Sequence, residues 1–209
     1  MTGSPKILEK TFPHIYHCGD LSVRAASWES QDELAECYLR MKRENLLHIY
    51  FQQGEPSLVH FLELLLKPGS LTCICQCTGL DIQGLGHCTT PIKMGGNHSK
   101  ADVSMMFFRR THPDTTLTLA QMMIEMTFSI FTPPVTTLCG CTPVKNRPAC
   151  KFVDRMGFKR LSEPLDDYTT WHGEPCACYM SVMTRKRWAE VSMFAENAKQ
   201  SQSHDLIGI

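Results

Sequence analysis

VTTLCGCTPVKNRPACKFVDRMGFKRL, residues 135–161, decides how this chain is read. Residues 135–142 are β-branched and apolar enough for a buried strand, and Pro143 ends that strand because proline has no N–H to give a ladder. A helix is predicted from Asn146. Pro148 falls in its first turn, where the missing donor costs nothing, and Ala149, Phe152, Val153 and Met156 recur at spacings of three and four on one face. Gly157 can take positive φ and stops the helix; residues 158–161 then resume an extended pattern.

On the C-terminal side, residues 161–175 read as a polar loop containing Trp171 and His172, and residues 176–184 as a last strand. Thr184 then caps a terminal helix over residues 185–199, with Trp188, Val191, Phe194 and Ala195 on one face, and residues 200–209 read as a frayed tail. On the N-terminal side, Leu119, Met122, Met123, Met126, Phe128 and Ile130 belong to a helix with so little polar face that it is predicted central and covered, its methionines acting as adaptable core filler. Before it, residues 71–77, 84–90 and 101–110 are strands, joined by the turn 78–83 and the glycine-rich turn 94–100, which argues an antiparallel meander.

The chain opens with a strand at 21–25 and a helix whose start is marked by Ser30 and Glu33, a capping-box pair, followed by Leu34, Cys37, Tyr38 and Met41 on one face. A second helix follows Pro56, carries Leu58, Phe61, Leu62, Leu65 and Leu66, and stops at Lys67-Pro68-Gly69. The fold class is therefore α+β: a mostly antiparallel central sheet flanked by helices, in the order β-α-α-β-β-β-α-β-α-β-β plus a C-terminal helix.

A chain of 209 residues suffices for one well-buried domain and is short for two. Lys+Arg balance Asp+Glu at a net charge of zero, so no bulk electrostatic argument for nucleic acid or an anionic membrane exists. No signal-peptide pattern and no apolar run near the ~20 residues of a bilayer span is present, which makes a cytoplasmic protein the expectation. The 11 cysteines are expected to be reduced thiols. Cys73, Cys75 and Cys77, then Cys139 and Cys141, then Cys176 and Cys178, are spaced by two within strands, which reads as buried cysteine-rich sheet faces; a cross-strand thiolate metal site is the sharper alternative, without any Cys-x-x-Cys knuckle.

Asn146, Ala149, Phe152, Met156, Gly157 and Phe158, taken as Asn-x-x-Ala-x-x-Phe-x-x-x-Met-Gly-Phe, resemble the last conserved segment of the GNAT acyl-CoA N-acyltransferase superfamily. The resemblance covers about residues 21–183, with residues 1–20 as an N-terminal extension and residues 184–209 as a helix and tail outside the usual core. It implies a three-layer fold whose sheet is splayed between the strands at 101–110 and 135–142, acetyl-CoA or another acyl-CoA in that splay, and an amine acceptor. It also implies that Asn146 hydrogen-bonds the pantetheine arm. Divergent proteins of this kind occur in bacteriophages and prophages, and a homodimer is compatible with the apolar face of the C-terminal helix.

In the family the pyrophosphate sits on backbone N–H groups at the start of the central helix, behind Arg/Gln-x-x-Gly-x-Gly/Ala, an anion on a helix N-terminus with glycines permitting close approach. Here His112-Pro113-Asp114 leads into Thr115, Thr116, Leu117, Thr118, Leu119 and Ala120, of which only Ala120 fits the pattern. Arg110 and Thr111, just before this loop, complete the candidate phosphate site, with Arg109 as further charge. A threonine-capped helix explains the same residues without a ligand.

Ala101-Asp102-Val103 resembles the Ala-Glu-Ile whose glutamate serves as general base in family members; an ammonium has no lone pair, so amine attack on a thioester needs such a base. Asp102 shares a strand face with Ser104, Met106 and Phe108, and His87 and His112 are the alternative bases. The family's frequent general acid, a tyrosine seven residues after the asparagine, is replaced by Val153. The reading is thus an acyl-CoA-dependent N-acyltransferase using direct transfer, with a weakly active or inactive binding or assembly protein of the same fold as the alternative. Arg40, Arg43, Arg155, Arg160, Arg185 and Arg187 read as solvated surface charge.

Overall fold

The computed structural model describes residues 9–11, 14–51 and 54–194. Strands β1 (Glu9–Thr11), β2 (Ile15–Cys18) and β3 (Leu21–Ala25) lead into helices α1 (Gln31–Arg43), α2 (Leu47–Tyr50) and α3 (Leu58–Leu65). Then follow β4 (Leu71–Cys77), β5 (Ile82–Cys88), β6 (Ile92–Gly95), β7 (His98–Phe107), α4 (Pro113–Ile130), β8 (Thr137–Pro143), α5 (Arg147–Arg155), β9 (Lys159–Arg160), β10 (Leu165–Trp171), β11 (Glu174–Thr184) and α6 (Arg185–Val191). The sheet runs β1-β2-β3-β4-β5-β7-β8-β11-β10, with β6 on β7 and β9 on β11. All pairings are antiparallel except β7 with β8. Residues 9–11 and 15–18 thus add β1 and β2 to the sheet beside β3.

Alternation along the central strands sends successive side chains to opposite faces and so builds two cores. Ile74, Leu85, Met106 and Phe108 pack with Leu34, Met41, Leu47, Phe61 and Leu65 of α1–α3. Cys73, Cys75, Cys88 and Ala101 pack on the other face with Leu119, Met122, Met123 and Met126 of α4. The apolar central helix is covered as its sequence requires, and its methionines are core. The Met123 side chain of α4 fills the space over Gly86, where a Cβ would lie 1.5 Å from its Cε, so a larger residue there requires the Met123 side chain to shift.

The deciding stretch folds as read. Asn146 caps α5, and Gly157 ends it at φ +83°, the left-handed conformation glycine adopts without penalty. The strands at its ends also establish the splay. β7 and β8 pair at Lys100↔Thr137, Ala101↔Leu138 and Asp102↔Cys139 and then part. Beyond that point β7 pairs with β5 through Phe107 and β8 with β11 through Pro143.

Five local expectations are corrected. Residues 161–175 are not a loop: β10 pairs with β11, and its polarity is that of a mostly exposed edge strand. The turn 94–100 is largely a hairpin of β6 with β7. Ser30 makes no capping bond to α1; its hydroxyl instead accepts from Ser27 N–H and Arg24, and Glu33 pairs with Arg24. α6 ends at Val191, and Phe194 enters the core after it; the remainder of the helix expected over residues 185–199 lies outside the described residues. Trp188 is 4% and Phe194 2% exposed on their own domain, with Trp188 Nε1 donating to Glu125 at 2.8 Å. Lastly, the solvated-charge reading fails for four arginines. Arg40 lies 3.8 Å over the Phe108 ring and donates to the Ile82 carbonyl, Arg160 donates to Asp154 and the Cys150 carbonyl, Arg185 to the Phe128 carbonyl and Arg187 to the Gly157 carbonyl.

Candidate functional site

Where β7 and β8 separate, a cleft of about 170 Å³ opens between them, floored by α5. The apolar face of α5, Ala149, Phe152 and Val153, is only half-buried because it lines this cleft rather than a neighbouring element. Asn146 stands at its rim. Its Oδ1 accepts the Ala149 N–H at 3.2 Å as the helix cap, which leaves the Nδ2 amide to donate to something in the cleft. The cleft also contains Ser181 of β11, 1% exposed, whose Oγ has no hydrogen-bond partner. An unpaired buried hydroxyl costs free energy, so it marks a position that a polar ligand would satisfy. An amide donor at the rim and an unpaired hydroxyl in the wall suit a ligand that carries polar groups into the cleft.

On the α1–α3 side of the sheet lies a larger cavity of about 870 Å³, and it contains His87, Asp102 and Ser104. The sequence therefore brought two of its three candidate bases to one cavity. Asp102 is exposed, in the last residue pair before the strands part. His87 is half-buried, and burial pushes its pKa down to about 4, so it is neutral in ordinary buffers. Its Nδ1 lies 2.9 Å from Thr72 Oγ1, whose proton goes to the Leu65 carbonyl. Nδ1 is consequently the donor and Nε2 the acceptor. His112 is elsewhere: it is the exposed N-cap of α4, with Nδ1 accepting the Asp114 N–H at 3.3 Å, and it lines neither cavity.

The candidate phosphate loop is also different from its expected form. Residues 115–120 lie within α4, which starts at Pro113, and Thr118, Leu119 and Ala120 are buried. Thr116 and Thr118 hydroxyls donate to the carbonyls of His112 and Asp114, four residues back. Of the first-turn donors, Pro113 has none, Asp114 N–H serves His112, and Thr115 N–H remains outside the helix ladder. Thr111 donates to the Gln83 carbonyl, and Arg110 is exposed beside it. Asp114 and Arg155 approach to 3.8 Å, tying the start of α4 to the end of α5.

Tyr50 was not singled out in the sequence. It lines both the cleft and the larger cavity, as does Ser104, whose Oγ donates to the Tyr50 oxygen at 3.3 Å. The available signal was His48-Ile49-Tyr50-Phe51, a run of large side chains in a connection between two helices, where a solvated loop would be polar. Among the described residues no group of three or more metal-ligating side chains is assembled, and no helix is long and apolar enough to cross a membrane.

This architecture is the fold of the GNAT acetyltransferases. The ribosomal-protein-S5-alanine acetyltransferase of Vibrio fischeri superposes with a TM-score of 0.65 at 11% identity, over 83% of this chain and 98% of that one. Spermidine N-acetyltransferase from Vibrio cholerae, in complex with CoA and spermine, gives 0.63 at 13% identity, over 81% and 98%. A putative acetyltransferase gives 0.62 at 12%, over 88% and 92%. No protein-family model and no curated protein matches the sequence itself.

Proposed function

We propose that the protein is an acyl-CoA-dependent N-acyltransferase, with acetyl-CoA as donor, that transfers directly to an amine. The observation that carries this is the splay: the slot between β7 and β8 and the larger cavity share Tyr50 and Ser104 in their linings, which sets a thioester in one beside an amine in the other. Asn146 Nδ2 and Ser181 Oγ hold the amide-bearing arm along the slot. Asp102, exposed beside the junction, attracts the ammonium and takes its proton, and His87 Nε2 accepts an amine N–H to aim the lone pair. Without charge above pH of about 4, His87 adds no repulsion to a cationic acceptor.

A second reading, a weakly active or inactive binding protein on the same fold, is favoured by one observation. The start of α4 presents Asp114 where an anion would sit, and its threonine hydroxyls are turned back onto their own helix. Thiol release from acetyl-CoA, measured with spermidine and with a peptide beginning in alanine, separates the two. Amine-dependent release that falls on the order of 100-fold in Asp102→Asn supports the enzyme. Tight CoA binding without turnover on a broad amine panel supports the second reading.

A further inference from the structure

Departure of a thiolate from a thioester is eased by a proton donor at the sulfur, and the described lining of the cleft offers few. Its titratable side chains are the Tyr50 phenol and the Cys141 thiol; the rest of its polar side chains are the Ser104, Thr142 and Ser181 hydroxyls and the Asn146 amide. An S–H is a weak hydrogen-bond donor, whereas a phenol is a good one. Tyr50 also occupies the right place, since it borders the cleft and the larger cavity together. Ser104 donates to the Tyr50 oxygen at 3.3 Å, so the phenolic proton is directed away from Ser104. Burial raises the Tyr50 pKa to about 12, which keeps that proton in place. The short helix α2 that bears Tyr50 is fastened by the neighbouring His48, whose ring lies 4.3 Å from that of His172 at the β10–β11 turn.

Resting on the acyltransfer reading, we infer that Tyr50 is the catalytic proton donor to the departing sulfur. The amine nitrogen, having given one proton to Asp102, forms the C–N bond with its lone pair. The C–S bond breaks, its electron pair stays on sulfur, and the Tyr50 proton moves onto that sulfur. The cationic nitrogen then loses its surplus proton to solvent, solvent returns a proton to the phenolate, and Asp102 gives up its proton to solvent, so the sum is ammonium plus thioester giving amide plus thiol plus one proton. Tyr50 approaches the sulfur from α2, across the slot from α5.

The test is an equilibrium one and needs no acceptor. CoA and desulfo-CoA, in which hydrogen replaces the thiol, are titrated calorimetrically into the full chain and into Tyr50→Phe. A hydrogen bond from Tyr50 to the sulfur gives the wild type a preference for CoA of about fivefold, which Tyr50→Phe reduces to parity while leaving desulfo-CoA affinity unchanged. Ser104→Ala, at an exposed residue outside the core, should lower the same preference in part, and Cys141→Ala should keep it. An undiminished preference in Tyr50→Phe, or a preference lost in Cys141→Ala instead, overturns the assignment while acyl-CoA binding stands. No CoA binding by the wild type overturns the acyltransfer reading itself, and the assignment with it.

Discussion

His87 Nδ1 donates to the Thr72 hydroxyl across 2.9 Å, and the pair fixes a neutral imidazole in the wall of the larger cavity. The consequence is a pH dependence with a definite sign. Burial lowers the folded-state pKa from 6.5 to about 4, so between these values the unfolded chain binds a proton that the folded chain does not. Stability is therefore full above the unfolded pKa and falls as pH drops toward 4, by up to about 3 kcal/mol in total. Urea midpoints from pH 7.5 to 4.5 should show this loss in the wild type and a shallower one in His87→Gln; parallel curves would mean the ring is solvated.

Asn146 has two ends, one that caps α5 and one proposed to contact the ligand, and two substitutions separate them. Asn146→Asp keeps an oxygen for the Ala149 N–H and loses the donor, so the melting temperature should hold while CoA affinity falls about tenfold, as for a lost hydrogen bond of 1–2 kcal/mol. Asn146→Ala loses both, and should cost about 1 kcal/mol of stability in addition. Unchanged affinity in both variants would remove Asn146 from the binding site.

Ser181→Ala should behave unlike an ordinary buried substitution. Its Oγ has no partner, so removing it should leave thermal stability unchanged or slightly raised, while CoA affinity drops about fivefold through loss of the ligand's hydrogen bond. Loss of stability without loss of affinity would show that the hydroxyl serves the fold.

Trp188 is one of two large aromatic side chains, with Phe194, that dock the C-terminal segment. It is buried against Phe128, at 6.4 Å between ring centroids, and bonded to Glu125. Trp188→Ala should therefore cost about 3–5 kcal/mol in chemical denaturation, the usual range for emptying an aromatic site. A change below 1 kcal/mol would show that α6 stabilises little.

The order of strands and helices was legible because hydrophobic period and punctuation are local. Pro143, Asn146, Pro148 and Gly157 mark one strand–helix–strand unit, and its resemblance to the GNAT segment located the splay that β7 and β8 display. β10 was not legible: an exposed edge strand lacks the apolar alternation that identifies buried ones, and Leu165-Asp166-Asp167 reads as a loop. The start of α4 at Pro113 was missed because threonines at a helix entrance suit a cap, a turn or a ligand loop alike, and only the i−4 hydrogen bonds of Thr116 and Thr118 distinguish them. Of the residues that line the two cavities, Asn146, Asp102 and His87 were singled out by pattern. Tyr50 was not, since its position depends on a four-residue helix held from outside by His172 and Ser104, contacts far away in sequence.

Acyl-CoA in the slot between β7 and β8 is the central claim, and Gly140 tests it most directly. A Cβ there would face the Val103 carbonyl at 3.7 Å, so the first carbon fits and a longer side chain extends into the slot. Acetyl-CoA should be titrated calorimetrically into the wild type and into Gly140→Leu, with melting temperatures recorded for both. The account predicts saturable binding by the wild type and none by Gly140→Leu, at a melting temperature within a few degrees of the wild type. Equal binding by the two proteins, or no binding by the wild type, would contradict it.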